Sequence, residues 1–196
     1  MKALSAALGL GFACVVGLSA CTVSGPSDKP QMIDVSRFQP VVVNVSLVEF
    51  AKGYHAPMGA PNVEHLFKTT PAEAVQQLLG RQLVVGGVQD TLRVTIEDAS
   101  VVREALPVKE SIFGLFSKEP AEKFTGRIAL KFEMFDPSAP DIIRGRASVT
   151  AARQKTLSND ASPADRDMAY YEMTQGLVDD VAAQVDKTVR STFGRQ

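Results

Sequence analysis

KFTGRIALKFEMFDPSAPDIIRGRASVTAA, residues 123–152, decides the fold. Ile128, Leu130, Phe132 and Met134 alternate with Arg127, Ala129, Lys131 and Glu133. A period of two puts successive side chains on opposite faces, so the run predicts a strand with one buried and one solvated face. Asp136-Pro137-Ser138 supplies turn residues, and Pro140 is expected to end the turn. The returning strand spans 142–152, with Ile143, Gly145, Ala147, Val149 and Ala151 on one face. Two strands joined by so short a loop pair as an antiparallel hairpin.

Working outward, residues 91–102 read as one further strand, with Leu92, Val94 and Ile96 inward and Arg93, Thr95 and Glu97 in water. Residues 41–50 read as the first strand. Val41, Val43, Val45 and Leu47 share a face, and Val48 and Phe50 switch the phase, which suggests a bulge. Between these strands Thr70 caps a helix, Pro71 suits its first position, and Glu73 completes a capping box. Ala74, Val75, Leu78, Leu79 and Leu83 form its buried stripe. Gly86-Gly87 is expected to stop it, and Gly80 weakens it by ~1 kcal/mol relative to alanine. Ser162 and Pro163 open a last helix whose stripe runs Ala169, Met173, Leu177, Val181, Val185, Val189 and Phe193. Tyr170, Val178 and Ala182 widen that stripe, and roughly 30 residues span ~45 Å. The order β-α-β-β-β-α predicts an α+β domain: a mostly antiparallel four-stranded sheet with two helices packed on one face. The first two strands, separated by a helix, are expected to run parallel with a right-handed crossover.

The 196 residues carry a formal net charge of −1, so no overall field attracts nucleic acid. The only cysteines are Cys14 and Cys21, and the only histidines His55 and His65. No metal-ligand spacing, serine elbow or glycine-rich phosphate loop is present, which predicts a non-enzymatic protein without metal or cofactor.

The N-terminus is more specific. Lys2, an apolar run over 3–17, and small residues ending in Leu18-Ser19-Ala20-Cys21 have the layout of a secretory signal. The run is too short for a permanent membrane span, which needs ~20 residues. Leu18-Ser19-Ala20-Cys21 resembles the lipobox of bacterial lipoproteins. That resemblance implies cleavage before Cys21 and acylation of its thiol, palmitate included. Several acyl chains on one residue hold firmly, at ~0.8 kcal/mol per buried CH₂. Thr22, where aspartate would favour inner-membrane retention, implies the periplasmic face of the outer membrane. The domain plan is a signal over 1–20, a lipidated N-terminus and flexible tether over 21–40, and one periplasmic domain over 41–196. Extended, a tether of about 20 residues reaches up to ~65 Å.

The folded part also resembles small periplasmic lipoproteins that assist envelope machines, among them the lipopolysaccharide-assembly lipoprotein and auxiliary lipoproteins of lipid-transport systems. The likeness rests on length, element order, and the run Arg153-Gln154-Lys155-Thr156-Leu157 leading to a long helix with Asp165-Arg166-Asp167. It implies an accessory role in envelope assembly or lipid transport through an envelope protein partner. Two features are candidates for contact. Ile112, Phe113, Leu115 and Phe116, bracketed by Lys109 and Lys118, form an apolar insert between strands. It reads either as a docking tip or as a lid on the core. Arg93, Arg127, Lys131, Arg144 and Arg146 share the outward sheet face, opposed by Glu97 and Glu133. That face reads either as an attractor of anionic lipid or glycolipid, or as a solvated surface of mixed charge.

Overall fold

The structure, a computed structural model, describes residues 32–107, 120–158 and 160–193. The signal, Cys21, and the candidate contact residues Ile112, Phe113, Leu115 and Phe116 lie outside them. The elements are β1 (Val41–Val43), β2 (Leu47–Lys52), a 3-10 turn (Glu64–Leu66), α1 (Pro71–Gln82), β3 (Leu83–Val85), β4 (Thr91–Asp98), β5 (Val101–Ala105), β6 (Pro120–Asp136), β7 (Ala139–Ser158) and α2 (Pro163–Phe193).

β6 and β7 form the expected hairpin, with Leu130 opposite Val149 and Lys131 opposite Ser148. Asp136 shapes the turn by accepting from the Ser138 backbone N–H at 2.9 Å. Pro140 does not end this turn; it lies inside β7, where an edge strand tolerates the missing donor. The other edge of β6 pairs antiparallel with β4 over residues 129–135 and with β5 over 122–126. β2 then pairs parallel with β4, as the intervening helix demands.

The molecule is therefore α+β, but its main sheet is mixed and five-stranded rather than antiparallel and four-stranded. The strand expected over 91–102 breaks because Asp98 turns to accept from the Ser100 N–H at 2.9 Å, with Ala99 buried beneath. The strand expected over 41–50 also breaks. Asn44 donates its N–H to the Phe193 carbonyl at the end of α2 (2.8 Å), and β1 departs to pair with β3 in a separate two-stranded parallel ribbon.

Both helix starts form as read. Thr70 and Glu73 make a reciprocal capping box on α1. Ser162 accepts from the Asp165 N–H at 3.2 Å while Asp165 accepts from the Ser162 N–H at 2.8 Å. α1, however, stops at Gln82, and Leu83 begins β3 instead of extending the helix. The glycine pair has a different task. A Cβ on Gly87 would sit 2.7 Å from the Asn44 carbonyl carbon, so the bare backbone lets the loop close onto β1.

α2 packs along β7 and β6, with α1 beside it. Leu177, Val178, Val181, Val185 and Val189 are fully buried, in the same core cluster as the inner-face residues Leu92, Val94 and Phe132. Gly126 lies directly under α2, where a Cβ would meet Leu177 Cδ1 at 2.9 Å.

Part of the expected tether, residues 33–38, is docked on the domain. Ile33, Val35 and Phe38 pack on the core. Asp34 accepts from Gln175 Nε2 (3.2 Å) and donates its N–H to Gln175 Oε1 (2.7 Å). Arg37 pairs with Asp179. Residues 33–38 thus form a strap docked on α2 rather than part of a free linker.

Candidate functional site

The open sheet face is built by the outward positions of β2, β4, β6 and β7. Glu49 faces Arg93, Arg93 faces Glu133, and Glu133 faces Arg146 across adjacent strands. The result is a row of alternating charge. Arg93 Nε lies 2.5 Å from Glu49, and its guanidinium sits 4.5 Å above the Phe135 ring. Arg146 lies 3.1 Å from Glu133, and Lys131 3.3 Å from Glu133 and 3.7 Å from Glu97. Arg127 is 3.8 Å from Asp98. Arg144 bridges Asp90 and Asp136 at 2.7 Å each. Asp90 holds its place with a left-handed φ of 57°, a region aspartate tolerates better than most residues.

Arg93, Arg127, Lys131 and Arg146 thus share one side, Arg144 stands at the bulge between Ile143 and Gly145, and six carboxylates lie among the five cations. The face is balanced in charge rather than basic. Exposed pairs of this kind contribute ~0–1 kcal/mol each. An anionic ligand would have to compete with carboxylates already in place.

Sequence reading missed Glu64. It is 1% exposed, yet it sits in a loop with no periodic pattern to mark it. Its carboxylate accepts from Tyr54 Oη, from Asn62 Nδ2 at 3.2 Å and from the Val101 N–H at 3.2 Å. The Asn62–Val102 bridge and the bond from Arg103 N–H to the Pro61 carbonyl (2.9 Å) run beside it. Glu64 therefore pins the loop before α1 onto the free edge of β5. Burial, then the hydrogen bond to Glu64 and its charge, push the Tyr54 hydroxyl well above the usual tyrosine range.

Removing this carboxylate orphans three donors, each costing ~1–3 kcal/mol. Glu64→Ala is expected to lower the unfolding free energy by several kcal/mol in a denaturant titration. Tyr54 ionises at lower pH in the unfolded chain than in the folded one. Its contribution is thus whole below pH ~10 and is lost as pH rises toward the folded value. Tyr54→Phe should flatten that alkaline fall relative to the parent; an unchanged slope would contradict the network.

Both histidines lie close to Glu64 in sequence. His65 adjoins Glu64 in the 3-10 turn, while His55 lies exposed in the preceding loop. Among the described residues no cluster of three or more His, Cys, Asp or Glu side chains could hold a metal ion. No described helix is long and apolar enough to cross a membrane.

The insert emerges between Pro107 and Pro120. Its base is held by the Leu106 N–H bonded to the Ala121 carbonyl at 2.7 Å and by Ala105 opposite Glu122. Glu122 also pairs with Arg103 at 3.5 Å and Arg166 at 2.5 Å, tying the base to the first turns of α2. Beside it, Tyr170 stacks on Phe67 (4.1 Å between centroids) and meets Phe124 edge-on at 5.6 Å.

No protein-family model matches the chain, and no curated protein matches it. Solved structures similar to it include a minor lipoprotein from Acinetobacter baumannii, at 12% identity and TM-score 0.41, covering 79% of this chain and 98% of that one. An uncharacterized lipoprotein B from Nitrosomonas europaea aligns at 13% identity and TM-score 0.38, over 76% of this chain and 86% of that one. Rare lipoprotein B from Shewanella oneidensis aligns at 10% identity and TM-score 0.36, over 72% of this chain and 94% of that one.

Proposed function

We propose that this chain is a non-enzymatic, lipid-anchored accessory protein on the periplasmic face of the outer membrane. It acts in envelope assembly or lipid transport by binding a partner protein through Ile112, Phe113, Leu115 and Phe116. Leu18-Ser19-Ala20-Cys21 supports the anchor. The observation that carries the docking role is the closed aromatic cluster at the base of the insert. Tyr170 stacks on Phe67 and meets Phe124 edge-on there, so buried aromatic side chains already fill that part of the core. Ile112, Phe113, Leu115 and Phe116 put four large apolar residues in one short stretch, a composition that suits an interface. The other reading, a lipid-binding sheet face, loses support because its cations are matched by carboxylates.

The test is the double variant Phe113→Ser/Phe116→Ser, measured for melting and for crosslinking in the native envelope. A docking tip predicts a stability change under ~1 kcal/mol with the parent crosslinks lost. A lid predicts a loss of ~3–5 kcal/mol per phenylalanine. A large drop in melting temperature with partner capture intact would sink the docking role.

A further inference from the structure

We propose that two copies of this chain join through β2, edge to edge and antiparallel about a two-fold axis at Phe50, so that the five-stranded sheet continues into its copy.

An unpaired strand edge is a template for another strand, and folds usually cover or guard it. The β5 edge is covered. Val63 donates its N–H to the Val101 carbonyl and Arg103 to the Pro61 carbonyl, both at 2.9 Å. The β7 edge is guarded. Gln184 of α2 donates Nε2 to the Thr150 carbonyl at 2.8 Å. Pro140 has no N–H to offer, and Arg144, Arg146, Arg153 and Lys155 line the strand. β1 and β3 have three residues each, too short to template a partner. β2 lacks such devices. Among the described residues, β4 is the only strand paired with Leu47–Lys52, and no loop backbone bonds to it. Its charges are Glu49, already paired with Arg93, and Lys52 at its end.

The backbone shows which groups are open. Ser46 donates its N–H toward β4, to the Gln89 carbonyl at 2.8 Å and the Asp90 carbonyl at 3.0 Å. Alternation then turns the backbone groups of Val48, Phe50 and Lys52 to β4, and those of Leu47, Glu49 and Ala51 to the free edge. Phe50 shares its side-chain face with Val48, which packs on the core, yet Phe50 itself is 39% exposed.

Facing residues in a continuous sheet share a face, so the two-fold axis must fall on a residue. An axis at Glu49 sets that carboxylate against its own copy, and like charges directly opposite destabilise. Axes at Val48 and Ala51 set Phe50 against Ser46 and Lys52. An axis at Phe50 sets Glu49 against Ala51, Val48 against Lys52, and Phe50 against Phe50. Glu49 and Ala51 then exchange their open N–H and C=O groups. The two phenylalanines fall at the non-hydrogen-bonded site, where Cα atoms approach to ~4.5 Å and side chains lie closest. Aromatic pairs at such sites stabilise a sheet. This register matches charge, backbone bonding and the exposed ring together.

The chain from residue 21 onward with Cys21→Ser contains no cysteine. Sedimentation equilibrium of that chain should show a concentration-dependent dimer. Phe50→Lys opposes two like charges at the axis and should weaken self-association at least ~10-fold. Ala51→Pro removes a free-edge N–H and no bond to β4, a placement that edge strands tolerate, and should be monomeric. Both should melt like the parent at a dilution where the parent is monomeric. Phe50→Cys in the same chain tests the register. Opposed Cα atoms ~4.5 Å apart lie within disulfide range, so mild oxidation should give a covalent dimer. Val88→Cys, at a 91% exposed position, is the collision control and should stay largely monomeric over the same time. A parent that remains monomeric at high concentration, unchanged association of both Phe50→Lys and Ala51→Pro, or Phe50→Cys that oxidises no faster than Val88→Cys would overturn the pairing.

Discussion

Val181→Asp is expected to unfold the domain or to cost it most of its stability. Val181 lies at the centre of the α2 stripe with no exposed surface, within one cluster that includes Leu78, Leu92 and Phe132. Beside it the buried Gln82 already donates Nε2 to the Ala182 carbonyl at 3.2 Å. Aspartate there must stay ionised in an apolar site or take up a proton, and either route costs several kcal/mol. Typical domains hold ~5–15 kcal/mol in total. At ~2–4 °C per kcal/mol for a domain of this size, the midpoint should fall by more than ~10 °C, if a transition survives. Ala183→Asp, two residues along and exposed, is the control. It should lose only the helix-propensity difference, ~0.7 kcal/mol. Similar melting of the two variants would mean that α2 is not docked on the sheet.

That burial was legible in the sequence because α2 carries its own evidence: a stripe at helical spacing, a cap at Ser162 and a proline after it. The β6–β7 hairpin was legible for the same reason, since alternation and turn residues are local signals. What escaped was non-local. Residues 41–50 alternate well enough for one strand, and only the Phe193 carbonyl reaching Asn44 reveals the break. Gly86-Gly87 looks like a helix stop until β1 is found against it. Residues 33–38 are polar and turn-rich in part, yet Ile33, Val35 and Phe38 find a surface on a helix more than a hundred residues away.

The candidate site divides along the same line. Alternation correctly placed Arg93, Arg127, Lys131 and Arg146 on one face, because face assignment needs only the period of a strand. It did not supply their partners. Glu49 comes from the parallel edge strand, and Asp90 and Asp98 from a loop and a strand break. Without those three the face looked basic. Glu64 had no pattern at all, since its role depends on Tyr54, Asn62 and Val101 meeting in space.

The second large effect belongs to the anchor. With the proposed cleavage before Cys21, Cys14 would leave with the signal, and Cys21→Ser would remove the one remaining thiol of the sequence. No acyl chain can then be attached as a thioether or thioester. No described helix is long and apolar enough to cross a membrane. The most direct measurement is metabolic labelling with a fatty-acid analogue, followed by separation of inner membrane, outer membrane and soluble fractions, for parent and Cys21→Ser side by side. The account predicts label and outer-membrane sedimentation for the parent, and for Cys21→Ser no label and a soluble or uncleaved chain. A Cys21→Ser protein that still takes up label and still sediments with the outer membrane would contradict it.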